Sequence, residues 1–397
     1  MECFKEFLII YAAVFHSIHF VKTQDVGFLN AQQKFALELF STISGPDHST
    51  DVILSPISVS TALSILLIGS NGVTFKQLFF GLQYPTNYSI NLVQVNSNLM
   101  IKNMAKVGAI EFATKLFITK SFSLQNNFKT SIDKYFQSGV ESVDFSQNVK
   151  AAQRINDYIS TSTHGMIQDV IKSDDLTEYT TMILVNCIFF KGLWQFPFDK
   201  SYTFKSDFNI DNKNTIQVDY MYQENSFNFG YINALNDAQV LELPYANSKL
   251  TLTLILPQTI DGIKNLVKAA KNFDFTKLSN QLTNTSVIVS IPKFNTTFEQ
   301  YLNSPLTNMG MPLLFNKTVS QLDHIAHEFT VPKSLALDGL YHKAVIIVNE
   351  EGTTAAAVSV ASSFSIKPTF TADRPFLYAL RTNSNIYFLG LYAGNPQ

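Results

Sequence analysis

The chain has 397 residues, 46% of them hydrophobic and only 15% charged, with 34 phenylalanines. Its 29 basic and 31 acidic side chains leave a formal charge of −2, which gives no electrostatic footprint for nucleic acid or an anionic membrane. No apolar run approaches the roughly 18 residues needed to span a bilayer, and the length suits one large domain or two ordinary ones.

Residues 1–23 have the form of a signal peptide. The run 7–15 is an apolar h-region, and Val21 and Thr23 stand three and one residues before a possible cleavage point. The n-region is weak, because Lys5 is flanked by Glu2 and Glu6; a buried N-terminal helix is the alternative reading. Cleavage would remove two acids (Glu2, Glu6), two bases (Lys5, Lys22) and Cys3, leaving the charge at −2. Cys187 would then be the one remaining cysteine, in an apolar run that suits a small buried hydrophobe. Sequons at Asn87, Asn284, Asn295 and Asn316 are glycosylation candidates on a secreted chain, although Asn295 falls in a stretch that reads as a strand.

No linker, charge block or repeat divides the rest, so one domain is expected over residues 24–397. The spacing of Phe35, Leu37, Leu39 and Phe40 predicts a helix over 31–40. Val52, Ile53 and Leu54 form a strand stopped by Pro56, and 57–68 is an apolar helix carrying Ser58, Ser60 and Ser64. Near the end, the β-branched run Val345, Ile346, Ile347 and Val348 predicts a strand, interrupted by Glu350, Glu351 and the flexible Gly352.

The stretch 352–366 is unusual. It has no charge and no proline, and most of its side chains are small or β-branched. On a strand's period, Thr353, Ala355, Ala357, Ser359 and Ala361 share one face, and Thr354, Ala356, Val358, Val360 and Ser362 the other. Neither face offers a large anchor. An uncharged, β-capable segment on a surface is a pairing hazard, and its small face would fit between two existing strands. Conditional insertion into a sheet is one reading; an alanine-rich loop or a short helix is the other.

No catalytic constellation accompanies it. Gly-x-Ser-x-Gly, P-loop and dinucleotide fingerprints are missing from the sequence. His324 and His327 lack the His-Glu-x-x-His order of a zinc protease, and Cys187 lies in apolar surroundings that disfavour a thiolate. Neither a metal nor another cofactor is expected, nor is enzymatic activity.

The block Glu350-Glu351-Gly352-Thr353-Thr354-Ala355-Ala356-Ala357 resembles the hinge of the reactive-centre loop of the serpins, a family of serine protease inhibitors. Further blocks agree in order: Ser55-Pro56-Ile57-Ser58, the run around Asn186 and Trp194, His342-Lys343-Ala344, and the C-terminal Asp373-Arg374-Pro375-Phe376. The resemblance covers nearly all of the chain beyond residue 24. It implies an α+β fold of three β-sheets and about nine helices, with an exposed, insertable loop at about 350–374. It implies a shutter of hydrogen bonds at Ser55, Ser58, Asn186 and His342, and a breach at the top of the sheet sealed by Trp194. Departures are Thr354, where inhibitors usually have glutamate, and Tyr158, where tryptophan is frequent.

The function implied is suicide inhibition of a serine protease by a secreted monomer that forms a covalent acyl complex; a non-inhibitory role in binding, carriage or storage is the alternative. Counting from the hinge places the reactive bond at Ile366–Lys367, and counting back from Pro375 places it at Phe364–Ser365. Both baits are apolar, which predicts a chymotrypsin- or elastase-like target. Pro368 disfavours a cut after Lys367, and Lys102 and Lys106 are too sparse for a polyanion groove.

Overall fold

The computed structural model describes residues 24–328, 335–352 and 367–394. The expected signal peptide lies outside that range, as do Thr353, Thr354, Ala355, Ala356 and Ala357 of the hinge and the bait candidates Phe364, Ser365 and Ile366.

The described residues form eight α-helices and three sheets of nine, five and two strands. The helix expected over 31–40 is the middle of α1, Val26–Ile43, which buries Phe28, Phe35 and Leu39 on one face. It starts at Asp25, whose carboxylate accepts from the Phe28 N–H at 3.1 Å. The second predicted helix is α2, Pro56–Ile68, with proline in its first turn and every residue from Pro56 to Leu67 buried. A helix apolar on every side belongs inside a molecule. Its hydroxyls are satisfied by folding back: Thr61 donates to Ile57 O at 2.7 Å and Ser64 to Ser60 O at 2.8 Å.

The five-stranded sheet lies against α2. Its strands in chain order are β1 (Ile110–Thr119), β2 (Gly139–Val143), β3 (Met182–Lys191), β4 (Phe294–Tyr301) and β5 (Gly339–Val348). Their spatial order is β4–β5–β3–β1–β2. Even-numbered residues of the central strands, such as Leu184, Ile188, Leu340 and Ile346, join the core around α2. Odd-numbered ones, such as Ile183, Val185 and Tyr341, pack beneath the helix Asn148–Ser162. Burial on both faces explains why β3 reads as a continuous apolar run rather than an alternation.

Sheet direction matters most at the centre. β4 runs antiparallel to β5, and β1 antiparallel to β3, but β3 and β5 are parallel. They pair directly from Gly339↔Ile183 to Ile347↔Lys191, so no strand separates them.

Candidate functional site

The β3–β5 seam is held at its middle by a dry polar cluster. Asn186 and His342 are register partners across the seam, and Asn186 also pairs with Thr114 of β1. All three side chains fall on the face toward α2. His342 Nδ1 lies 2.8 Å from Asn186 Oδ1 and 3.1 Å from Asn186 O, both acceptors, so Nδ1 carries the proton. Its Nε2 accepts from the Ser55 N–H at 3.3 Å, so the ring is neutral. Burial pushes the His342 pKa down to about 4. Asn186 Nδ2 donates to Thr114 Oγ1 at 2.8 Å and to Ser58 O at 3.2 Å. Ser58 Oγ stands 2.8 Å from Asn186 Oδ1 and 3.0 Å from Ser55 O. One cluster therefore ties three strands to the first turn of α2.

The four expected shutter residues are thus brought together, with two amendments. Ser55 contributes its backbone, while its buried hydroxyl has no hydrogen-bond partner among the described residues. Thr114 is a fifth member that sequence reasoning missed. Its carbonyl also accepts from Ser138 Oγ at 2.6 Å and from Tyr158 Oη at 3.0 Å. The tyrosine found where tryptophan is frequent thereby gains a bond to the sheet.

The top of the seam is built differently. The Trp194 backbone N–H donates to Glu351 O at 3.1 Å, and its indole N–H donates to Asn349 O at 2.6 Å. The ring is 2% exposed and stacks on Tyr245 with centroids 4.3 Å apart. Glu350 is buried, paired with Lys293 at 3.1 Å, and accepts from the Thr203 hydroxyl at 3.0 Å. Burial opposes its ionisation, but its own backbone N–H, Lys293 and Thr203 outweigh that and hold the carboxyl below its ordinary range. Glu351 pairs with Lys191 at 2.8 Å, near the surface.

Gly352 was expected to supply flexibility. Its backbone is not left-handed; the requirement is close approach, because an added Cβ would lie 2.6 Å from Pro197 Cβ and 2.9 Å from Trp194 O. A bridge between Trp194 and Gly352 holds the segment there. Beyond the loop, Lys367 is ion-paired with Glu224, Pro368 O accepts from the Ile288 N–H at 3.0 Å, and Thr369–Thr371 joins the nine-stranded sheet.

A family model for "Serpin (serine protease inhibitor)" matches residues 30–394. The chain belongs to the serpin family. It is 32% identical over 375 residues to leukocyte elastase inhibitor A of Rattus norvegicus, covering 91% of this chain and 97% of that protein. It is 30% identical over 371 residues to antitrypsin of Bombyx mori, covering 91% and 93%. Among solved structures, cleaved Serpin 42Da matches with a TM-score of 0.83 and 27% identity, covering 94% of this chain and 99% of that one.

Elsewhere in this serpin, all four sequon asparagines are exposed, and Asn295 does lie on a strand, the edge strand β4. Cys187 is fully buried on the face away from α2, and burial raises its thiol pKa to about 12, leaving no thiolate at neutral pH. The described residues contain no cluster of three or more His, Cys, Asp or Glu that could hold a metal, and no helix long and apolar enough to cross a membrane.

Proposed function

We propose that this serpin is a secreted, monomeric, irreversible inhibitor of a chymotrypsin- or elastase-like serine protease. The observation that carries the reading is the closed parallel seam between β3 and β5, with the uncharged segment 353–366 following from its top. Parallel pairing is slightly weaker per residue than antiparallel. A chain that turns back at Gly352 and enters the seam would run antiparallel to both neighbours, exchanging one parallel seam for two antiparallel ones. The protease would attack the bait carbonyl and form an acyl-enzyme. The freed arm would then insert, carrying the protease away before deacylation, a change of the stored-strain kind. The shutter and breach would keep the seam closed until cleavage.

The fixed end of the loop supports one of the two bait positions. With Lys367 paired to Glu224 and Pro368 bonded to Ile288, a cut after Ile366 would require a pinned residue to enter the protease cleft. A cut at Phe364–Ser365 leaves Ser365 and Ile366 free on the departing side. One relative is named for elastase and another for trypsin, so target class rests on the apolar bait itself. Secretion is supported by the apolar stretch 7–15, with residues 1–23 as signal peptide and 24–397 as the mature domain; the exposed sequons are compatible with it.

Incubation with chymotrypsin, elastase and trypsin should give an SDS-stable adduct with either of the first two. Phe364→Ala should slow its formation at least tenfold, and Ile366→Ala much less. Cleavage by all three without an adduct would instead identify a substrate-like, non-inhibitory serpin.

A further inference from the structure

The foot of the β3–β5 seam is closed by a single carboxylate. Asp338 immediately precedes β5, and its backbone N–H donates to the carbonyl of Met182, the first residue of β3, at 2.8 Å. Its Oδ2 accepts from the backbone N–H of Thr181 at 2.6 Å and from that of Met182 at 3.0 Å. The Thr181 hydroxyl lies 2.9 Å from the same oxygen and 2.8 Å from Ala336 O, both acceptors. The other carboxylate oxygen, Oδ1, pairs with Lys317 Nζ at 2.5 Å, and that ammonium also donates to Tyr179 O at 2.7 Å. Behind the carboxylate, Asn303 Nδ2 donates to Asp338 O at 2.8 Å, and Asn303 Oδ1 accepts from the Leu340 N–H at 3.2 Å. The side chain before one strand thus binds the leading backbone of its neighbour, and a lysine ties both to the chain before β3.

The bonds from Asp338 to Thr181 and Met182 cross the seam, so none survives a strand placed between β3 and β5. An inserted strand moves its neighbours about 4.8 Å further apart, well beyond the reach of a hydrogen bond. The Thr181 and Met182 N–H groups could turn to carbonyls of the newcomer. Asp338 would find no matching charge there, because the stretch 352–366 holds no cation. The bonds it loses belong to the strong, charge-assisted class. Chain length places this step along the path, because paired positions in a hairpin keep a constant sum. A hairpin turned within 349–352 sets residue 353 opposite one of 348–351, and residue 338 then stands opposite one of 363–366. Both bait candidates, Phe364 and Ile366, fall in that window. The arm would meet Asp338 only with its last residues, beside the acylated protease.

We propose that Asp338, held by Lys317, is a latch that sets the rate of the last stage of insertion. It positions the foot of β3 against β5 and takes no part in bait recognition or in the opening of the top. The proposal rests on the inhibitor reading above, and the two can fail separately.

The test follows insertion at two heights in the full chain. An environment-sensitive dye on Ala356→Cys reports the early stage, and one on Ser362→Cys the last. These positions share one face of a strand, and the buried Cys187 does not compete for the label. Chymotrypsin or pancreatic elastase, whichever cuts faster, starts the reaction. In Lys317→Gln and in Asp338→Ser, the delay of the Ser362 signal behind the Ala356 signal should shorten at least threefold, with the Ala356 signal unchanged. Lys264→Gln, which breaks an exposed ion pair with Asp47 outside this sheet, should change neither. Urea midpoints check folding, and Lys317→Gln, at a half-exposed side chain, carries the test if Asp338→Ser does not fold. A delay shortened less than twofold overturns the proposal. Equal acceleration of both signals also overturns it, because Asp338 would then contribute only general stability. A shortened delay without any SDS-stable adduct sinks the inhibitor reading and leaves the latch standing. An adduct with an unchanged delay sinks the latch alone. Cleavage followed by no change at either dye sinks both.

Discussion

The middle and the top of the β3–β5 seam are closed by opposite kinds of chemistry. At the middle, Asn186, His342, Ser58 and Thr114 are buried and neutral, and they exchange hydrogen bonds with one another. At the top, Trp194 stacks on Tyr245, and Glu350 and Glu351 form two ion pairs whose lysines, Lys293 and Lys191, are 45% and 37% exposed. Water can replace Lys191 at the part-exposed Glu351, and the buried Glu350 keeps its own N–H and the Thr203 hydroxyl when Lys293 leaves, so opening the top costs less than opening the middle. Opening the middle strands polar groups out of water until new partners arrive. If the loop inserts as proposed, the difference predicts an order: the top end yields first, and the dry cluster is the barrier behind it. A strand entering from the top would meet the cluster only after its leading residues were already paired.

The largest expected effect comes from removing the group at the centre of the barrier. Asn186→Ala would remove the amide shared by His342 Nδ1, Ser58 and Thr114, leaving Ser58 O and Thr114 Oγ1 without their donor while Nδ1 keeps only Asn186 O and Ser58 Oγ only Ser55 O. Unmade buried hydrogen bonds cost about 1–3 kcal/mol each and are not additive, so a loss of about 3–4 kcal/mol is expected. The midpoint of urea unfolding measures it. The same variant should convert faster to the loop-inserted or polymeric form on mild heating, followed by native gel. If stability falls by less than about 1 kcal/mol, the cluster is not the barrier.

Acid offers a reversible way to weaken the middle. An unfolded-state histidine titrates near the ordinary 6.5, whereas His342 in the native chain titrates near 4. Between those values the unfolded state binds a proton that the native state refuses. The His342 contribution is therefore complete above pH 6.5 and is lost as pH falls toward 4. It amounts to about 3 kcal/mol, most of it gone by pH 4.5. The Glu350 carboxyl, held below its ordinary range by burial-opposed but stronger partners, loses its contribution only at lower pH. Urea midpoints between pH 7 and 4.5 should fall for the wild type and flatten for His342→Gln. An equal slope in both would place the acid sensitivity elsewhere.

These two regions were not equally legible in the sequence. Ser58, Asn186 and His342 were found because blocks around them resembled a family; alone, each is a polar residue in an apolar run, which physical reading assigns to a satisfied core group. Thr114 escaped because a threonine on a strand is an ordinary β-former. Its role depends on a register with Asn186 that only the folded sheet defines. Ser55 was expected in the cluster, but nothing in the sequence says that its backbone N–H and carbonyl rather than its hydroxyl do the bonding. The two helices and the strand 345–348 followed from periodicity and β-branching, because those patterns are local. At Gly352 the structural requirement differs from the expected one: flexibility can be read from a glycine, but the Pro197 side chain pressed against it cannot.

The smallest effect should come at the top, and it separates the two ways the aromatic lid could act. Trp194→Phe keeps a ring to stack on Tyr245 but removes the indole N–H that donates to Asn349 O. The orphaned carbonyl belongs to the half-buried Asn349 and can turn toward water, so the global loss should be about 1 kcal/mol. Its kinetic consequence should be larger than that suggests. If the top yields first, weakening it speeds the first step of insertion while the barrier at Asn186 is untouched. The expected result is a nearly unchanged urea midpoint with a loop-insertion rate raised several-fold, read by the fluorescence of an environment-sensitive dye placed on a Ser359→Cys variant. An unchanged rate alongside the 1 kcal/mol loss would mean that opening starts elsewhere along the seam. The order assigned to its two regions would then be reversed.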